Sequence, residues 1–240
     1  MAPQTIPDSS VNCKQSRKPQ KMEVIKTQDG SPTIRLEAEG VTYHSRYGAV
    51  QESQHVFIEA GLYYKAVTKK ELSILEVGFG TGLNTFLTCL EVDRLTLNVH
   101  YTALDTKPLP PEIFTALDYA QFLNEPATRE LFLQLHQCDW EVETSVTEGF
   151  NLLKKNAKAE AWRSENTYDL IYYDAFAPSS QPELWTPEIM QNMYDSLIQG
   201  GVLVTYCAKS AFKRALKSAG FEVEALPGPP GKREMTRARK

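Results

Sequence analysis

Three closely spaced glycines at the end of a predicted strand are the clearest chemical signal in this sequence. They stand at alternate positions in Glu76-Val-Gly-Phe-Gly-Thr-Gly-Leu-Asn84, after the apolar run Ile74, Leu75 and Val77. Glycine allows a tight turn with positive φ and a close approach of a ligand, which a Cβ would block. A strand, a glycine turn and a helix together present backbone N–H groups and a positive helix end to a bound nucleotide.

The glycine spacing bears on which nucleotide would bind. A dinucleotide fingerprint requires Gly-x-Gly-x-x-Gly/Ala, but Leu83 stands at its third glycine position. The form Gly-x-Gly-x-Gly, with an acid before it, resembles the first motif of class I S-adenosylmethionine-dependent methyltransferases. An ordinary glycine turn without a ligand remains the alternative. On the resemblance, we expect cofactor contacts from the loop residues Glu76, Gly78, Gly80, Gly82 and Asn84.

Two aspartates end other predicted strands. Asp105 follows a strand over residues 98–104, about twenty residues past the glycines, where an acid accepts hydrogen bonds from ribose hydroxyls. A helix cap is the alternative for Asp105. Asp174 ends a strand over 168–174, and it would face a methyl donor if that strand lies beside the glycine strand. Phe176 either stacks on a substrate base or packs as a core aromatic.

Composition sets limits on the class of protein. The 240 residues, 42% of them hydrophobic, suffice for one three-layer domain with a small appendage. No apolar run is long enough for a membrane span. The four cysteines and four histidines show no ligand spacing, which argues against a metal site and fits a reducing cytoplasm.

Charge is uneven along the chain. The net charge is −4, which does not by itself indicate a nucleic-acid partner. Residues 231–240 nevertheless carry five basic side chains against one acid, Glu234. Such a stretch is either a solvated end or a contact for phosphates.

The order of predicted elements is α/β with three parts. Residues 1–21 are polar and predicted to be a disordered tail, with Met22 as an alternative start. Residues 22–67 are predicted to form a small β appendage and a helix over 55–67. Residues 68–240 are predicted to form a Rossmann-like domain whose seven-stranded sheet ends in an antiparallel strand. Its further strands are predicted at 150–155, 202–207, 221–226 and 234–238, and its helices at 110–119, 128–136, 157–163, 187–198 and 211–219.

Several motifs, taken in order, resemble one family over residues 22–240. The family is the methyltransferase domain of the bifunctional tRNA-modifying protein MnmC, together with its stand-alone relatives called MnmD. The motifs are Ser-Arg-Tyr-Gly-Ala-Val-Gln-Glu-Ser at 45–53, the glycine loop, Leu-Asp-Thr-Lys-Pro-Leu at 104–109, Asp-Ala-Phe-Ala-Pro at 174–178, Pro-Glu-Leu-Trp-Thr at 182–186 and Gly-Pro-Pro-Gly-Lys-Arg-Glu-Met at 228–235.

The resemblance implies a reaction and a set of residues. The reaction is methyl transfer from S-adenosyl-L-methionine to 5-aminomethyl-2-thiouridine at the wobble position of tRNA, giving 5-methylaminomethyl-2-thiouridine. Bifunctional members add an FAD-dependent oxidoreductase domain, for which 240 residues leave no length; a separate enzyme is then expected to make the aminomethyl precursor. Asp174 is the expected catalytic residue. The expected substrate-binding residues are Tyr47, Glu52, Ser53, Phe176, Lys232, Arg233 and Glu234.

Asp174 has a defined chemical task in this interpretation. An ionised carboxylate beside an ammonium stabilises the charged amine, so Asp174 is expected to orient the amine toward the methyl donor. It would relay the proton only if burial raises its pKa.

One departure from the family keeps other functions open. The family usually has a Gly-Asp pair at the end of the third strand for the adenine, but residues 155–160 read Lys-Asn-Ala-Lys-Ala-Glu. Asn156, Glu160 or a backbone amide would have to replace it. The alternative functions are a small-molecule methyltransferase or aminopropyltransferase on the same fold, and a non-catalytic tRNA-binding module.

Overall fold

The computed structural model describes residues 21–37 and 40–240. The predicted disordered tail, apart from Lys21, lies outside the described residues. The described part begins with a three-stranded antiparallel sheet of β1 (Met22–Lys26), β2 (Pro32–Leu36) and β3 (Val41–Thr42), in the order β1-β2-β3. The short strands predicted for this appendage are confirmed.

A long helical segment connects this small sheet to the rest of the chain. It consists of α1 (Ala49–Ser53), a π-helical stretch (Gln54–Tyr63) and α2 (Tyr64–Ala66). The predicted start at residue 55 is wrong, since the helix begins six residues earlier. At Gly61 a Cβ would lie 3.0 Å from the Val204 side chain, so glycine permits the helix to approach the main sheet closely.

The main sheet has eight strands in the order β10-β11-β9-β8-β4-β5-β7-β6. β4 pairs in parallel with β5 and β8, β5 with β7, and β8 with β9, while β11 runs antiparallel to both β9 and β10. The predicted antiparallel last strand is therefore confirmed. The strands are β4 (Glu71–Val77), β5 (Asn98–Asp105), β6 (Glu143–Thr147), β7 (Phe150–Asn156), β8 (Tyr168–Tyr173), β9 (Leu197–Thr205), β10 (Glu222–Pro227) and β11 (Glu234–Arg239).

The two outer strands differ from the central ones. β6, which was not predicted, pairs antiparallel with β7 and makes the sheet eight-stranded instead of seven-stranded. None of its five residues is fully buried, and Val146 packs partly buried against the core. At the opposite edge, β10 places Glu222 and Glu224 across from Arg239 and Arg237 of β11.

Two predicted helices need correction. Residues 110–119 form α4 (Pro111–Phe114) and the start of α5 (Tyr119–Phe122), because Asp118 caps Gln121 N–H and begins a second helix. Residues 157–163 form turns, although their composition favours a helix. The Ala157 N–H instead donates to Asp105 O at the end of β5, which holds this segment against the sheet. The other helices are α3 (Leu83–Leu95), α6 (Arg129–Gln137), α7 (Pro187–Ser196) and α8 (Ser210–Ser218).

One buried apolar cluster joins the small sheet to the main sheet. It contains Ile34 of β2, Phe57 of the π-helical stretch and Tyr172 of β8, each at most 1% exposed. The domain boundary expected after residue 67 stays a prediction. In the described ranges, no helix combines the length and the apolar character needed to span a bilayer.

Candidate active site

A cavity of about 500 Å³ opens at the carboxyl ends of β4, β5 and β8. Gly78, Asp105 and Asp174, which follow or end these three strands, all line it. These strands are neighbours in the sheet, so the sequence-predicted groups meet at one edge. Ligands of parallel sheets bind at this edge.

The glycine turn forms the floor of the cavity. Gly78 has φ +98°, and a Cβ there would lie 2.7 Å from the carbonyl oxygen of Asp174. Gly80 has φ +49°, and its Cβ would lie 3.2 Å from the Tyr43 ring. A side chain at either position would be strained and would displace a cavity wall. Gly82, the N-cap of α3, does not line the cavity.

Asp105 ties this turn to the end of β5. Its Oδ2 accepts from Gly80 N–H at 2.8 Å, and its Oδ1 accepts from Thr106 and Lys107 N–H at 2.7 and 2.9 Å. The helix-cap alternative for Asp105 is wrong, because the next helix has Pro110 as its N-cap. A carboxylate offers about four acceptor positions. One therefore remains for a ligand hydroxyl.

Asn84 connects the buried Glu76 to Asp174 at the cavity wall. Its Nδ2 donates to Glu76 Oε1 at 3.0 Å and to Asp174 Oδ2 at 2.8 Å. Thr85 Oγ1 donates to the other oxygen of Glu76 at 2.8 Å. Glu76 is fully buried and does not line the cavity, so it acts on the site through Asn84. Asn84 Oδ1 is buried and has no hydrogen-bond partner within the part of the chain that the structure describes.

The pKa values of both carboxyl groups are raised toward the neutral range. Burial raises the pKa of Glu76 to about 8, against the opposing effect of the Thr85 and Asn84 hydrogen bonds. Burial also raises the pKa of Asp174 to about 7, while the Asn84 hydrogen bond lowers it. The charge of Asp174 also raises the pKa of Glu76. This pair can therefore accept or release a proton at pH 7, which an ordinary aspartate cannot do.

An ion pair lies close enough to Asp174 to act on its pKa. Lys232 Nζ is 2.8 Å from Glu52 Oε2 and 3.9 Å from the centre of the Tyr206 ring. Glu52 raises and Lys232 lowers the pKa of Asp174, so both charges act on it. The Tyr206 hydroxyl donates to Ala175 O at 2.8 Å and fixes the ring under the ammonium.

The remaining expected substrate residues are spread around this ion pair. The Tyr47 ring, 49% exposed, lies over Gly231, where no side chain would fit. Phe176 lines the cavity and meets Tyr43 edge-on, with ring centres 5.0 Å apart. Ser53 is buried, Arg233 is exposed, and Glu234 pairs with Lys213 of α8 at 2.8 Å.

Three residues of this region were not predicted from the sequence. Tyr43 and His44, which follow β3, line the cavity, although they are distant in sequence from the ends of β4, β5 and β8. Burial lowers the pKa of His44 to about 4, so its ring is neutral at pH 7. Tyr206 follows β9, and the rule that sites lie at carboxyl ends of strands would have found it.

Residues 157–160, in the stretch that lacks the expected Gly-Asp pair, form one wall of the cavity. Glu160 lines the cavity, whereas Asn156 does not, and Asn156 N–H donates to Glu141 Oε1 at 2.7 Å. The Ala157 amide is already bonded to Asp105 O. Glu160 is therefore the acid available at this wall.

Comparison with known proteins gives one family match. Residues 120–240, about half of the chain, match a family described as S-adenosyl-L-methionine-dependent methyltransferase. A tRNA 5-methylaminomethyl-2-thiouridine biosynthesis bifunctional protein MnmC from Aromatoleum aromaticum is 30% identical over 230 residues, covering 89% of this chain and 34% of that protein. The chain spans about a third of the length of the MnmC relatives it matches.

Solved structures agree with these matches. The crystal structure of MNMC2 from Aquifex aeolicus superimposes with a TM-score of 0.73 at 25% identity, covering 92% of this chain and 70% of that one. Spermidine synthase from Thermotoga maritima gives a TM-score of 0.54 at 14% identity, covering 91% and 68%, which indicates a shared fold only. The resemblance to MnmC is confirmed.

Proposed function

Because the chain belongs to a family of S-adenosyl-L-methionine-dependent methyltransferases, we propose that it methylates the primary amine of 5-aminomethyl-2-thiouridine at the wobble position of tRNA. The product is 5-methylaminomethyl-2-thiouridine. The names of the similar MnmC proteins support the choice of nucleoside. The observation that carries the proposal is Asp174, an acid of raised pKa that lines the cavity beside the glycine turn.

The cavity offers groups that fit the cofactor. Asn84 Oδ1 is a buried acceptor that has no partner among the described residues. The ammonium group of the cofactor could donate a hydrogen bond to it. Asp105 keeps a free acceptor position suited to ribose, and Glu160 is available to the adenine amine. When bound, S-adenosyl-L-methionine supplies an electrophilic methyl group on a sulfonium. We assign the backbone of Gly78 and Gly80 to the floor of the cavity, in contact with the bound cofactor.

Asp174 addresses the main chemical obstacle, which is the charge on the substrate amine. A simple alkylammonium has a pKa of about 10, so at pH 7 its neutral form costs roughly 4 kcal/mol. Asp174 Oδ2 is occupied by Asn84, and Oδ1 accepts no hydrogen bond from any described residue. We assign Oδ1 to orient the amine and to receive its proton. The raised pKa makes Asp174 a better proton acceptor than an ordinary aspartate.

Lys232 completes the charge balance of the site. Glu52 and Asp174 together would stabilise a protonated amine, since two anions attract an ammonium. The ammonium of Lys232, 2.8 Å from Glu52, offsets one of these charges. A cation close to the substrate amine lowers the pKa of that amine, and so favours the neutral nucleophile.

The base of the target nucleotide has aromatic partners available. Bases of single-stranded loops are read by stacking on aromatic rings. Phe176 in the cavity wall and the exposed ring of Tyr47 are our candidates. Ser53, Arg233 and Glu234 remain assigned to the substrate side.

Two further parts of the proposal follow from the substrate. An enzyme activity that makes the aminomethyl group must act before this methylation, because the reaction consumes a primary amine. We place the reaction in the cytoplasm, where tRNA is modified.

The test is methyl transfer from labelled S-adenosyl-L-methionine into tRNA from cells that lack this methyltransferase, followed by nucleoside analysis. We expect label in 5-methylaminomethyl-2-thiouridine with the wild-type protein. The Asp174→Ala variant should bind cofactor without turnover, and Gly80→Val should lose cofactor binding in calorimetry because its side chain fills the turn. Label in another nucleoside, or none despite cofactor binding, would contradict the proposed substrate.

A further inference from the structure

A second cavity opens on the small N-terminal sheet, and all of its charged lining residues are cations. It has a volume of about 340 Å³, and its charged residues are Lys26, Arg35 and Arg46. Arg35 forms an ion pair with Glu23. Lys26 and Arg46 are exposed and form no ion pair with any residue in the described ranges. The cavity therefore has two cations that are unpaired among the residues the structure describes, although the net charge of the chain is −4.

One short segment separates this cavity from the active site. Arg46 lies two residues after His44, which lines the active-site cavity. Consecutive Cα atoms are 3.8 Å apart, so the Cα atoms of these two residues lie within about 8 Å of each other. The next residue, Tyr47, covers Gly231 immediately before Lys232. The basic cavity and the substrate side of the active site are therefore neighbours.

This segment is fixed by hydrogen bonds to the turn between β1 and β2. Gln28 N–H donates to Arg46 O at 2.9 Å, and Asp29 N–H donates to Tyr47 O at 3.1 Å. The Asp29 carboxylate accepts from the Ser31 amide at 3.0 Å and from the Ser31 hydroxyl at 2.6 Å. A cation on such a frame loses less conformational entropy when it binds a ligand.

The basic C-terminal stretch is a weaker candidate for phosphate contacts. Arg237 and Arg239 pair with Glu224 and Glu222 of β10, and Lys232 pairs with Glu52. Internal ion pairs neutralise most of its charge, which favours the alternative of an ordinary polar end.

We propose that the basic cavity of Lys26, Arg35 and Arg46 binds a backbone phosphate of the substrate RNA, next to the nucleotide whose base enters the active site. The inference rests on the proposed function. Phosphate contacts supply much of the affinity for nucleic acids and set the register of the bound strand. Tyr47, between the two cavities, provides a ring on which a neighbouring base stacks. A phosphate contact on the small sheet would thus fix the position of the target nucleotide relative to the active site.

The test compares two double variants of equal charge. Lys26→Ala/Arg46→Ala removes the two free cations of the cavity. Lys70→Ala/Lys217→Ala removes two exposed lysines, one just before β4 and one near the end of α8, away from the carboxyl ends of the strands. Affinity for tRNA is measured by fluorescence anisotropy over a range of salt concentrations, and cofactor affinity by calorimetry.

We expect the cavity variant to bind tRNA about tenfold more weakly and to lose about 1 from the slope of log Kd against log salt concentration. The control variant should keep the wild-type slope, and both variants should keep wild-type cofactor affinity. Equal slopes for wild type and the cavity variant would overturn the inference while leaving the proposed function standing. A wild-type protein that fails to bind tRNA would overturn both.

A free phosphate is the other source of the same chemistry. Inorganic phosphate that binds the wild type, does not bind the cavity variant, and is accompanied by unchanged tRNA affinity would assign the cavity to a small anion and overturn the RNA contact.

Discussion

Two aspartates stand at opposite ends of β8, and their surroundings differ: Asp169 is buried, whereas Asp174 is partly exposed at the cavity wall. Asp169, near the amino end, has Oδ1 2.7 Å from Lys69 Nζ, and its Oδ2 accepts from Lys69 Nζ and from Ser73 N–H, each at 2.9 Å. Asp174, just past the carboxyl end, accepts one hydrogen bond from the described residues, donated by Asn84 at 2.8 Å. One acid is fully partnered, and the other is not.

The difference shows how one strand supplies both stability and chemistry. A buried carboxylate that is paired with a cation and a backbone donor holds its neighbours in place. A carboxylate at a cavity wall that has a single neutral donor keeps its capacity to bind a proton. At the carboxyl ends of parallel strands the chain leaves the sheet in loops, and these leave room for a cavity beside Asp174.

The largest expected effect is on catalysis at the carboxyl end. Asp174→Asn keeps the size of the side chain and an acceptor for Asn84 but removes the proton-accepting oxygen. We expect single-turnover methylation to fall by about 10²–10⁴-fold, with cofactor affinity close to wild type. Rapid-quench assays and calorimetry measure the two quantities. Turnover within a few-fold of wild type would remove Asp174 from the mechanism.

The next effect concerns stability at the amino end. Lys69→Met leaves the Asp169 carboxylate, whose side chain is 2% exposed, without its cation. We expect the free energy of unfolding to fall by about 2–4 kcal/mol, because an unpaired buried charge is costly. Urea denaturation measures this change. A loss below about 0.5 kcal/mol would mean that solvent reaches Asp169.

The pH dependence of stability distinguishes the two ends further. Burial raises the pKa of Asp174 from 3.8 to about 7, so the folded protein binds this proton more tightly than the unfolded chain does. The stabilising contribution is complete below about pH 4 and is lost as the pH rises toward 7. Asp174→Asn should therefore match the wild type near pH 4 and exceed its unfolding free energy by about 4 kcal/mol at pH 8. A difference that stays constant with pH would contradict this account.

The smallest effect is expected from Asp169→Asn. The amide still accepts from Ser73 N–H, and Lys69, whose side chain is 45% exposed, can turn to solvent. We expect a loss of about 1 kcal/mol, less than for Lys69→Met, with turnover per folded molecule unchanged. The two variants form a matched pair in the same denaturation assay. The reverse order of losses would show that the lysine, not the aspartate, is the buried partner.

Local patterns in the sequence predicted much of this arrangement. The apolar runs of β4, β5, β8 and β9 are fully or partly buried strands, and such runs can be recognised from a few residues each. The order of strands and helices along the chain predicted a parallel sheet. The carboxyl ends of parallel strands lie on the same side of the sheet, so Gly78, Asp105 and Asp174 were expected to meet there.

The misses have a common cause, which is contact between distant segments. Residues 157–163 have a helix-forming composition, but Ala157 bonds to the end of β5. Tyr43 and His44 enter the site because the small sheet packs against the glycine turn, which no local pattern encodes. The Glu52–Lys232 pair joins residues 180 positions apart. The burial that raises the pKa of Asp174 likewise depends on the whole fold.

The charged edges of the main sheet have a consequence for self-association. A strand from a second molecule that paired with β10 would pass Glu222 and Glu224 and would meet Pro227, which has no N–H to donate. At the other edge, β6 is only five residues long, carries Glu143, and has an irregular register between Ser145 and Thr147. Short, charged or interrupted edges resist strand addition. Both edges of the eight-stranded sheet are therefore protected from the edge-to-edge pairing that begins aggregation.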